Sequence, residues 1–176
     1  MIETCRHCNS TDTIQFLDLG FAPPSNAYIS ESDTKRPEIY FPLKLFTCRN
    51  CRLVQTCDFA KADELFTNDY AYFSSTSSSW LAHAKQYSQK VIKRFNLRKE
   101  SFVVEVASND GYLLKNFVEA EIPCLGVEPT QSTAHAARLL GIEVVEDFFG
   151  ENLAKKIKPA DLVIGNNAYA HVPDIN

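Results

Sequence analysis

The second half of the chain alternates short apolar runs with segments whose apolar residues recur at helical spacing. The strand-like runs are FVVEVA, CLGVEP, IEVVED and ADLVIGNN, and the helix-like segments between them are GYLLKNFVEA, TQSTAHAARLLG and ENLAKKI. Strands that alternate with helices of this length are typical of a parallel sheet with right-handed crossovers. We therefore predict an α/β fold with a four-stranded parallel sheet over residues 101–176.

The first hundred residues follow different patterns. Residues 1–60 have little helical periodicity and many turn residues, which indicates a separate unit, and residues 61–100 form a polar, aromatic connector followed by an amphipathic helix with serine N-cap candidates. The residues predicted to share the apolar face of this helix are Trp80, Ala84, Tyr87, Val91 and Phe95. Because doubly wound sheets usually have six or more strands, we expect this chain to be the front part of a larger protein.

Composition and charge narrow the classes of partner. The 176 residues are 45% hydrophobic and carry a formal charge of −4. Nucleic-acid binders rely on clustered Lys and Arg, so we expect no nucleic-acid partner. The sequence has neither an apolar run of bilayer-spanning length nor the pattern of a secretion signal. We therefore expect a cytoplasmic protein without a membrane partner.

Four of the six cysteines form two C-x-x-C pairs, namely Cys5, Cys8, Cys48 and Cys51. A reducing cytoplasm disfavours disulfides, and two such pairs can supply the four thiolates that structural Zn²⁺ prefers. A redox pair would need a thioredoxin-like helix, which neither motif has, and four buried free thiols are a further alternative. We predict a closed structural zinc site, in which His7 or Cys57 could replace one ligand. Metal binding would then supply much of the folding free energy of a unit with few apolar residues.

The segment VVEVASNDGYLL lies where a dinucleotide-binding enzyme carries G-x-G-x-x-G, but it has one glycine. Glu105 and Asp110 would repel a pyrophosphate, and they suit a ligand with positive charge and ribose hydroxyls. S-adenosylmethionine has a sulfonium, an α-amine and a ribose, so we predict this cofactor. Ala107 is nearly as small as glycine, Asn109 tolerates the left-handed conformation, and Gly111 remains where the helix packs on the sheet.

The ends of the other predicted strands carry residues that suit the same cofactor. Glu128 can accept hydrogen bonds from ribose hydroxyls, and Asp147 can accept one from the adenine amine while an aromatic side chain covers the base. The further candidates are Phe148 and Phe149 after the third strand and Asn166, Asn167 and Ala168 after the fourth.

Each of these residues also has a simpler role that the sequence leaves open. Glu128 and Asp147 could cap the helices that follow them. Phe148 and Phe149 could be core residues, and His171, a lone histidine, could be structural.

The motifs together resemble the S-adenosylmethionine-dependent sugar C-methyltransferases that act on nucleotide-linked keto-deoxysugars. The likeness covers nearly the whole chain, and its landmarks are CRHC, LDLGFAPPSNAY, FPLKLFTCRNCRLVQ, YFSSTSSSW, EVASNDGYLL, GVEP and NNAYAHVPDIN. It implies a zinc-binding N-terminal domain before a Rossmann-like methyltransferase domain, with further cofactor contacts at Tyr72 and Ser75. Pro129, the last residue of GVEP, is a further cofactor-binding candidate. Family members continue well beyond this length, so the likeness implies catalytic residues downstream and leaves His171 as the candidate acid or base within this chain.

The chemistry that the resemblance implies is removal of a proton next to a ketone, followed by attack of the enolate on the sulfonium methyl group. We expect this chain to bind S-adenosylmethionine but not to complete turnover alone, with a nucleotide-linked sugar as the substrate. The alternatives are O- or N-methylation of another small metabolite, a non-enzymatic zinc-ribbon adaptor and, against the charge of the loop, a nicotinamide oxidoreductase. An exposed edge on the fourth strand also predicts self-association.

Overall fold

The computed structural model describes residues 4–57, 59, 65–68, 70–172 and 175–176. The chain divides into two compact units, one comprising Met1–Leu65 with Pro173–Asn176 and the other comprising Phe66–Val172. Within the described residues, each unit contains one β-sheet. We call them the N-terminal unit and the sheet unit.

The N-terminal unit is built on a three-stranded antiparallel sheet. Its strands are β1 (Thr13–Ala22), β2 (Phe41–Cys48) and β3 (Val54–Thr56), in the spatial order β1-β2-β3, and a 3-10 turn covers Glu31–Asp33. The pairing of β1 with β2 runs from Thr13 opposite Cys48 to Ala22 opposite Phe41. Nothing in the turn-rich composition of this region predicts a sheet.

Two register shifts in β1 explain why its apolar pattern escapes detection. They lie between Gln15 and Leu17 and between Asp18 and Phe21. The apolar residues change phase at the first shift, from Ile14 before it to Leu17 after it. An extra residue in one strand exchanges the two faces of the sheet, so a strict period of two is lost along the strand.

The apolar side chains of this sheet are largely exposed. Phe16, Leu19 and Phe21 have exposed fractions of 54%, 61% and 66%. Among the described residues of the unit, Phe46 is the one large apolar side chain, cysteines aside, that is buried. The prediction of few apolar residues is therefore wrong, because the unit has many of them and buries few. Its burial of apolar surface contributes little stability.

The sheet unit contains a long helix followed by alternating strands and short helices. Its elements are α1 (Ser78–Phe95), β4 (Val103–Val106), α2 (Lys115–Glu119), β5 (Cys124–Val127), α3 (Gln131–Leu139), β6 (Glu143–Val145), α4 (Glu151–Ala154) and β7 (Leu162–Ile164). Two 3-10 turns, Ser74–Thr76 and Tyr169–His171, lie before and after these elements. All three strand pairs are parallel, so the predicted α/β fold with a four-stranded parallel sheet is confirmed.

The order of the strands locates the place where a ligand would bind. The spatial order is β6-β5-β4-β7, which is the third, second, first and fourth strand of the sheet. These are the first four positions of the doubly wound dinucleotide-binding fold. The winding reverses between β4 and β7, and open α/β sheets bind ligands at such a reversal, beside the carboxyl ends of the strands.

Helices cover the two faces of this sheet unequally. On one face α1, α2 and α3 enclose a cluster that includes Phe117, Ala134 and Val103 of the sheet, and all three side chains are buried. On the other face Leu153 of α4 packs in a smaller cluster with Val104. Right-handed crossovers explain the division, because the chain moves one way from β4 to β6 and the opposite way from β6 to β7.

Helix α1 begins and ends at polar caps. The Ser77 hydroxyl accepts a hydrogen bond from the backbone N–H of Trp80 at 3.3 Å, so the predicted serine cap is confirmed. At the other end Asn96 has a φ of 52°, and its N–H donates to carbonyl oxygens of the last turn. A left-handed residue is the common way to end a helix, and Asn accepts that conformation more readily than most residues.

The buried face of α1 differs from the predicted one at its end. Ala84 and Val91 are buried, as predicted, but Phe95 is 51% exposed and its placement on the buried face is wrong. The helix ends immediately after Phe95, and the chain then turns to bury Leu97 instead. Ser88 is fully buried on the same helix because its hydroxyl donates to the Ala84 carbonyl at 2.9 Å.

Candidate functional site

The two C-x-x-C motifs fold into equivalent knuckles. After the first motif, the N–H of Asn9 donates to the carbonyl of Cys5 at 2.9 Å, and after the second, the N–H of Arg52 donates to the carbonyl of Cys48 at 3.0 Å. Asn9 and Arg52 both have positive φ angles, 57° and 69°. The same left-handed turn therefore presents both thiols of each pair toward one point.

The four cysteine sulfurs have the arrangement of a zinc site. They all lie within 4.8 Å of one another, with 3.5 Å between the sulfurs of Cys5 and Cys51 and 3.6 Å between those of Cys8 and Cys48. Tetrahedral Zn–S bonds of about 2.3 Å place sulfurs roughly 3.8 Å apart, so the ion fits the donor set. Within the described ranges this is the one such cluster, and neither of the alternative ligands belongs to it.

Groups around the cluster shift the pKa values of two of its thiols in opposite directions. Despite a backbone hydrogen bond from Leu53, which lowers it, burial and bonds with the other three cysteines raise the pKa of the Cys51 thiol to about 12. The Asn50 amide lies 3.5 Å from the Cys8 sulfur as a donor. A hydrogen bond from the Ser10 backbone, helped by that amide, lowers the pKa of the Cys8 thiol to about 6. Thiolates are the metal-binding form of cysteine, and donors of this kind also orient the ligands.

The loop after β4 reverses direction through alternating left-handed residues. Ala107, Asn109 and Gly111 have φ angles of 56°, 51° and 78°. At Gly111 an added Cβ would lie 2.4 Å from the side chain of Ile142 and 3.1 Å from that of Ala137, which explains the single retained glycine. The loop also delays the next helix, which begins at Lys115 rather than at the predicted glycine.

Three buried polar atoms around this loop have no hydrogen-bond partner within the described part of the chain. They are Glu105 Oε2, Ser108 Oγ and Asp110 Oδ1, on side chains that are 1%, 0% and 3% exposed. Burial, with the nearby carboxylates of Glu128 and Asp110, raises the pKa of Glu105 well above its ordinary value. Buried polar groups in proteins are normally paired, so these atoms mark a place where a polar ligand fits.

Glu128 braces the loop from the end of β5. Its Oε2 accepts from the backbone N–H of Asn109 at 2.9 Å, and its Oε1 accepts from the N–H of Thr130 at 3.0 Å and from the Thr130 hydroxyl. The side chain is 4% exposed. Thr130, not Glu128, is the N-cap residue of α3. The predicted contact of Glu128 with a ribose stays a prediction.

The residues after β6 have mixed positions. Asp147 is exposed, and its carboxylate accepts from the backbone N–H of Phe148 at 2.7 Å. It does not cap α4, whose N-cap residue is Gly150. Phe149 packs against the smaller core cluster, whereas Phe148 is half-buried outside it.

The connector before α1 is fastened to the loop. Asn109 Oδ1 accepts from the N–H of Ser74 at 2.8 Å, and Asn109 Nδ2 donates to the carbonyl of Tyr72 at 2.9 Å. Asp110 Oδ2 accepts from the N–H of Ser75 at 3.0 Å. The two residues that the family resemblance adds to the site, Tyr72 and Ser75, therefore lie beside its acidic loop.

The end of β7 borders a cavity of about 180 Å³ under the first turns of α1. Asn166 and Asn167 line it together with Trp80 and Tyr112, whose rings stack with centroids 5.8 Å apart. Burial raises the pKa of the Tyr112 hydroxyl to about 12, so it keeps its proton at neutral pH. The backbone of His171 lies in the following 3-10 turn. Its side chain is outside the described atoms.

The remaining predicted residues lie close to the same edge of the sheet. Pro129 is half-buried directly after Glu128, and Ala168 is buried after the end of β7. Sequence patterns missed Ser108, Ser74 and Tyr112. The serines carry no spacing signal, because their roles depend on contacts with residues far away in the sequence.

Comparison with known proteins supports both the predicted zinc-binding unit and the similarity to methyltransferases. Residues 5–66 match the family described as "Putative zinc binding domain". The chain is 31% identical to the C-methyltransferase NovU of Streptomyces niveus over 99% of its own length. The resemblance to C-methyltransferases with an N-terminal zinc-binding domain is confirmed. This chain spans 42% of the length of that curated relative.

A likeness to a solved structure is weaker. The YcgJ protein of Bacillus subtilis superposes with a TM-score of 0.41 and 17% identity, over 53% of this chain and 42% of that one. No conclusion rests on that overlap. In the described part of the chain, no helix has the length and apolar character needed to cross a membrane.

Proposed function

We propose that the sheet unit binds S-adenosylmethionine, and that the protein is a methyltransferase that acts on carbon in a nucleotide-linked keto-deoxysugar. The observation that carries the first part is a group of three buried polar atoms, of Glu105, Ser108 and Asp110, that have no hydrogen-bond partner among the described residues and lie at the reversal of the sheet. The similarity to a C-methyltransferase supports the second part.

The chemistry of the loop favours a cationic ligand over an anionic one. Three carboxylates, those of Glu105, Asp110 and Glu128, lie close enough together for the last two to raise the pKa of the first. A pyrophosphate at this point would meet only like charge, whereas an ammonium or sulfonium group lowers the electrostatic cost of ionising Glu105. The acids therefore disfavour a nicotinamide dinucleotide and favour S-adenosylmethionine.

In the proposed reaction the cofactor supplies an activated methyl group. Asp110 Oδ1 and Glu105 Oε2 would hold polar groups of the cofactor, and the connector at Tyr72 lies beside the loop that carries them. The substrate would become the carbon nucleophile that receives the methyl group when a general base takes the proton next to its ketone. His171 is the candidate base within this chain.

Calorimetric titration of the zinc-loaded chain tests the cofactor. We expect S-adenosylmethionine to bind more tightly than S-adenosylhomocysteine, which lacks the sulfonium charge, and we expect no binding of NADH. The D110N variant should weaken binding about ten- to hundredfold, because it removes a charged acceptor. The matched control is D161N, since Asp161 accepts from the Phe102 N–H at 2.7 Å before β4 begins. NADH binding, or equal affinity of D110N and the unaltered chain, would contradict the proposal.

The acceptor is tested by incubating the protein, at its full natural length, in D₂O with S-adenosylmethionine and nucleotide-linked keto-deoxysugars. A carbon acid mechanism predicts exchange of the hydrogen next to the ketone, and NMR of the product should show the new methyl group on carbon. O- or N-methylation of another metabolite predicts neither result. A methyl group found on oxygen or nitrogen would therefore exclude the keto-sugar part while leaving the cofactor part intact.

A further inference from the structure

The side chain of Asn109 uses both of its ends on the backbone of the connector. Its Oδ1 accepts from the N–H of Ser74 at 2.8 Å, and its Nδ2 donates to the carbonyl of Tyr72 at 2.9 Å. The residue is 8% exposed. An amide has one acceptor and one donor end, whereas an ionised carboxylate of similar size only accepts and could make just one of these two bonds.

The backbone of Asn109 is held as firmly as its side chain. Glu128 accepts its N–H at 2.9 Å, and its φ of 51° is in the left-handed region. The direction of the amide is therefore fixed by the end of β5 as well as by the loop itself. Glycine, the residue usual at such positions, would adopt this backbone with less strain but could not reach the connector.

Two more hydrogen bonds hold the connector nearer its start. The N–H of Ser132, at the start of α3, donates to the carbonyl of Asn68 at 3.2 Å, and its hydroxyl donates to the carbonyl of Tyr70 at 3.1 Å. The connector therefore passes first the loop that follows β5 and then the loop that follows β4. Asp110 adds one bond to it through Oδ2, while its Oδ1 stays without a partner among the described residues.

We propose that Asn109 is a positioning residue, whose side chain fixes residues 72–75 as one wall of the cofactor site rather than contacting the cofactor itself. This inference rests on the proposed function, and it names what the Asn side chain contributes where a dinucleotide-binding loop would carry glycine. Loss of the amide should free the wall while the acids of the loop stay in place.

The test combines amide hydrogen exchange by NMR with calorimetry on the N109G variant. Glycine keeps the left-handed backbone and removes both bonds, so exchange at the Ser74 amide should accelerate about tenfold or more. Exchange at the Ser132 amide should not change, which separates local release from general unfolding. Affinity for S-adenosylhomocysteine should fall about tenfold. In N109D the Ser74 amide should stay protected, because that variant keeps the acceptor and loses only the donor.

The matched control is N96G, which makes the same substitution at another left-handed asparagine in the same unit. It should leave both Ser74 exchange and ligand affinity unchanged. If the Ser74 amide exchanges no faster in N109G, Asn109 does not hold the connector. If it exchanges faster but the affinity for S-adenosylhomocysteine is unchanged, Asn109 does not position the wall of the site. If the unaltered chain binds no S-adenosylhomocysteine, the proposed function fails, and Ser74 exchange still decides whether Asn109 holds the connector.

Discussion

The two units of the chain are stabilised by different means. In the sheet unit, apolar side chains from helices and strands form clusters on both faces of the sheet, with Phe117 and Leu113 fully buried. In the N-terminal unit the fully buried side chains are those of Cys5 and Cys48, while Phe16 and Phe21 of β1 are more than half exposed. The first pattern stabilises by removing apolar surface from water, and the second by bringing four thiols to one point.

This difference assigns separate tasks to the units. In the N-terminal unit the four cysteines are placed so that their sulfurs converge, and the Asn50 amide donates a hydrogen bond to the Cys8 sulfur. In the sheet unit, by contrast, Glu105 and Asp110 are buried at the end of β4 and in the loop after it, although burying carboxylates costs free energy. The core can support such a site because apolar packing, rather than the acids, stabilises the unit.

Loss of the metal should produce the largest difference in stability between the two units. We expect a strong chelator, or the C48S substitution, to abolish exchange protection in β2 and β3, since structural zinc supplies about 10–16 kcal/mol in small zinc units. Trp80, the one tryptophan of the chain, should report an unchanged unfolding midpoint for the sheet unit. C124S is the matched control, because Cys124 lies outside the cluster. Persistent protection of β2 after chelation would show that the metal is dispensable.

Truncation of a core aromatic should have the reverse effect. F117A should lower the free energy of unfolding of the sheet unit by about 3–5 kcal/mol, because it leaves a cavity in the larger cluster. F16A makes the same change on the exposed face of β1 and should cost less than about 1 kcal/mol. Urea denaturation followed by Trp80 fluorescence measures the first, and exchange protection of β1 measures the second. Equal costs would mean that the face of β1 is covered in solution.

The buried acid should make the stability of the sheet unit sensitive to pH. Burial, with the charges of Glu128 and Asp110, raises the pKa of Glu105 well above 4.5. The folded state therefore binds more protons than the unfolded state above pH 4.5, and stability falls as pH rises by up to about 1.4 kcal/mol per pH unit. E105Q should remove this slope, as measured by urea denaturation of zinc-saturated protein between pH 5.5 and 8.5. An unchanged slope in E105Q would show that another group titrates in this pH range.

The smallest expected effect concerns strain in the loop after β4. Ala107 has a φ of 56°, a conformation that costs an L-residue about 1–2 kcal/mol. A107G should therefore stabilise the sheet unit by up to about 1 kcal/mol, net of the greater flexibility of the unfolded chain. A136G, within α3, should destabilise by a similar amount. Thermal unfolding of both variants tests the contrast in sign, and destabilisation by A107G would show that its methyl group makes a contact worth more than the strain.

The sheet unit was predictable because its signals are local. Strands of a parallel sheet are buried on both faces and appear as continuous apolar runs, and all four were predicted in place. Helix α1 combines a serine cap with a regular apolar face, and only its last turn differs from expectation, where the chain bends to bury Leu97 in place of Phe95. Likewise, the spacing of the two C-x-x-C pairs is a direct consequence of tetrahedral coordination.

What the sequence concealed depends on contacts between distant residues. The sheet of the N-terminal unit was missed because a register shift breaks the alternation along β1. The bonds of Asn109 to the connector join residues more than thirty positions apart, and no pattern of spacing records them. The charge of the loop predicts a cationic ligand. Which carboxylate oxygens already accept hydrogen bonds, such as both oxygens of Glu128, is seen only in the structure.

The two cysteine knuckles lie on either side of β1 and β2 along the chain, and this separation sets an order of events during synthesis. At roughly 5–20 residues per second, several seconds pass between the emergence of the first pair from the ribosome and that of the second. During that interval a nascent chain can offer an ion only two of the four thiolates, so the tetrahedral site cannot yet form. Completion of the tetrahedron then closes the long intervening loop and brings the ends of both strands together, so delivery of the ion sets the earliest moment at which this half of the protein can mature.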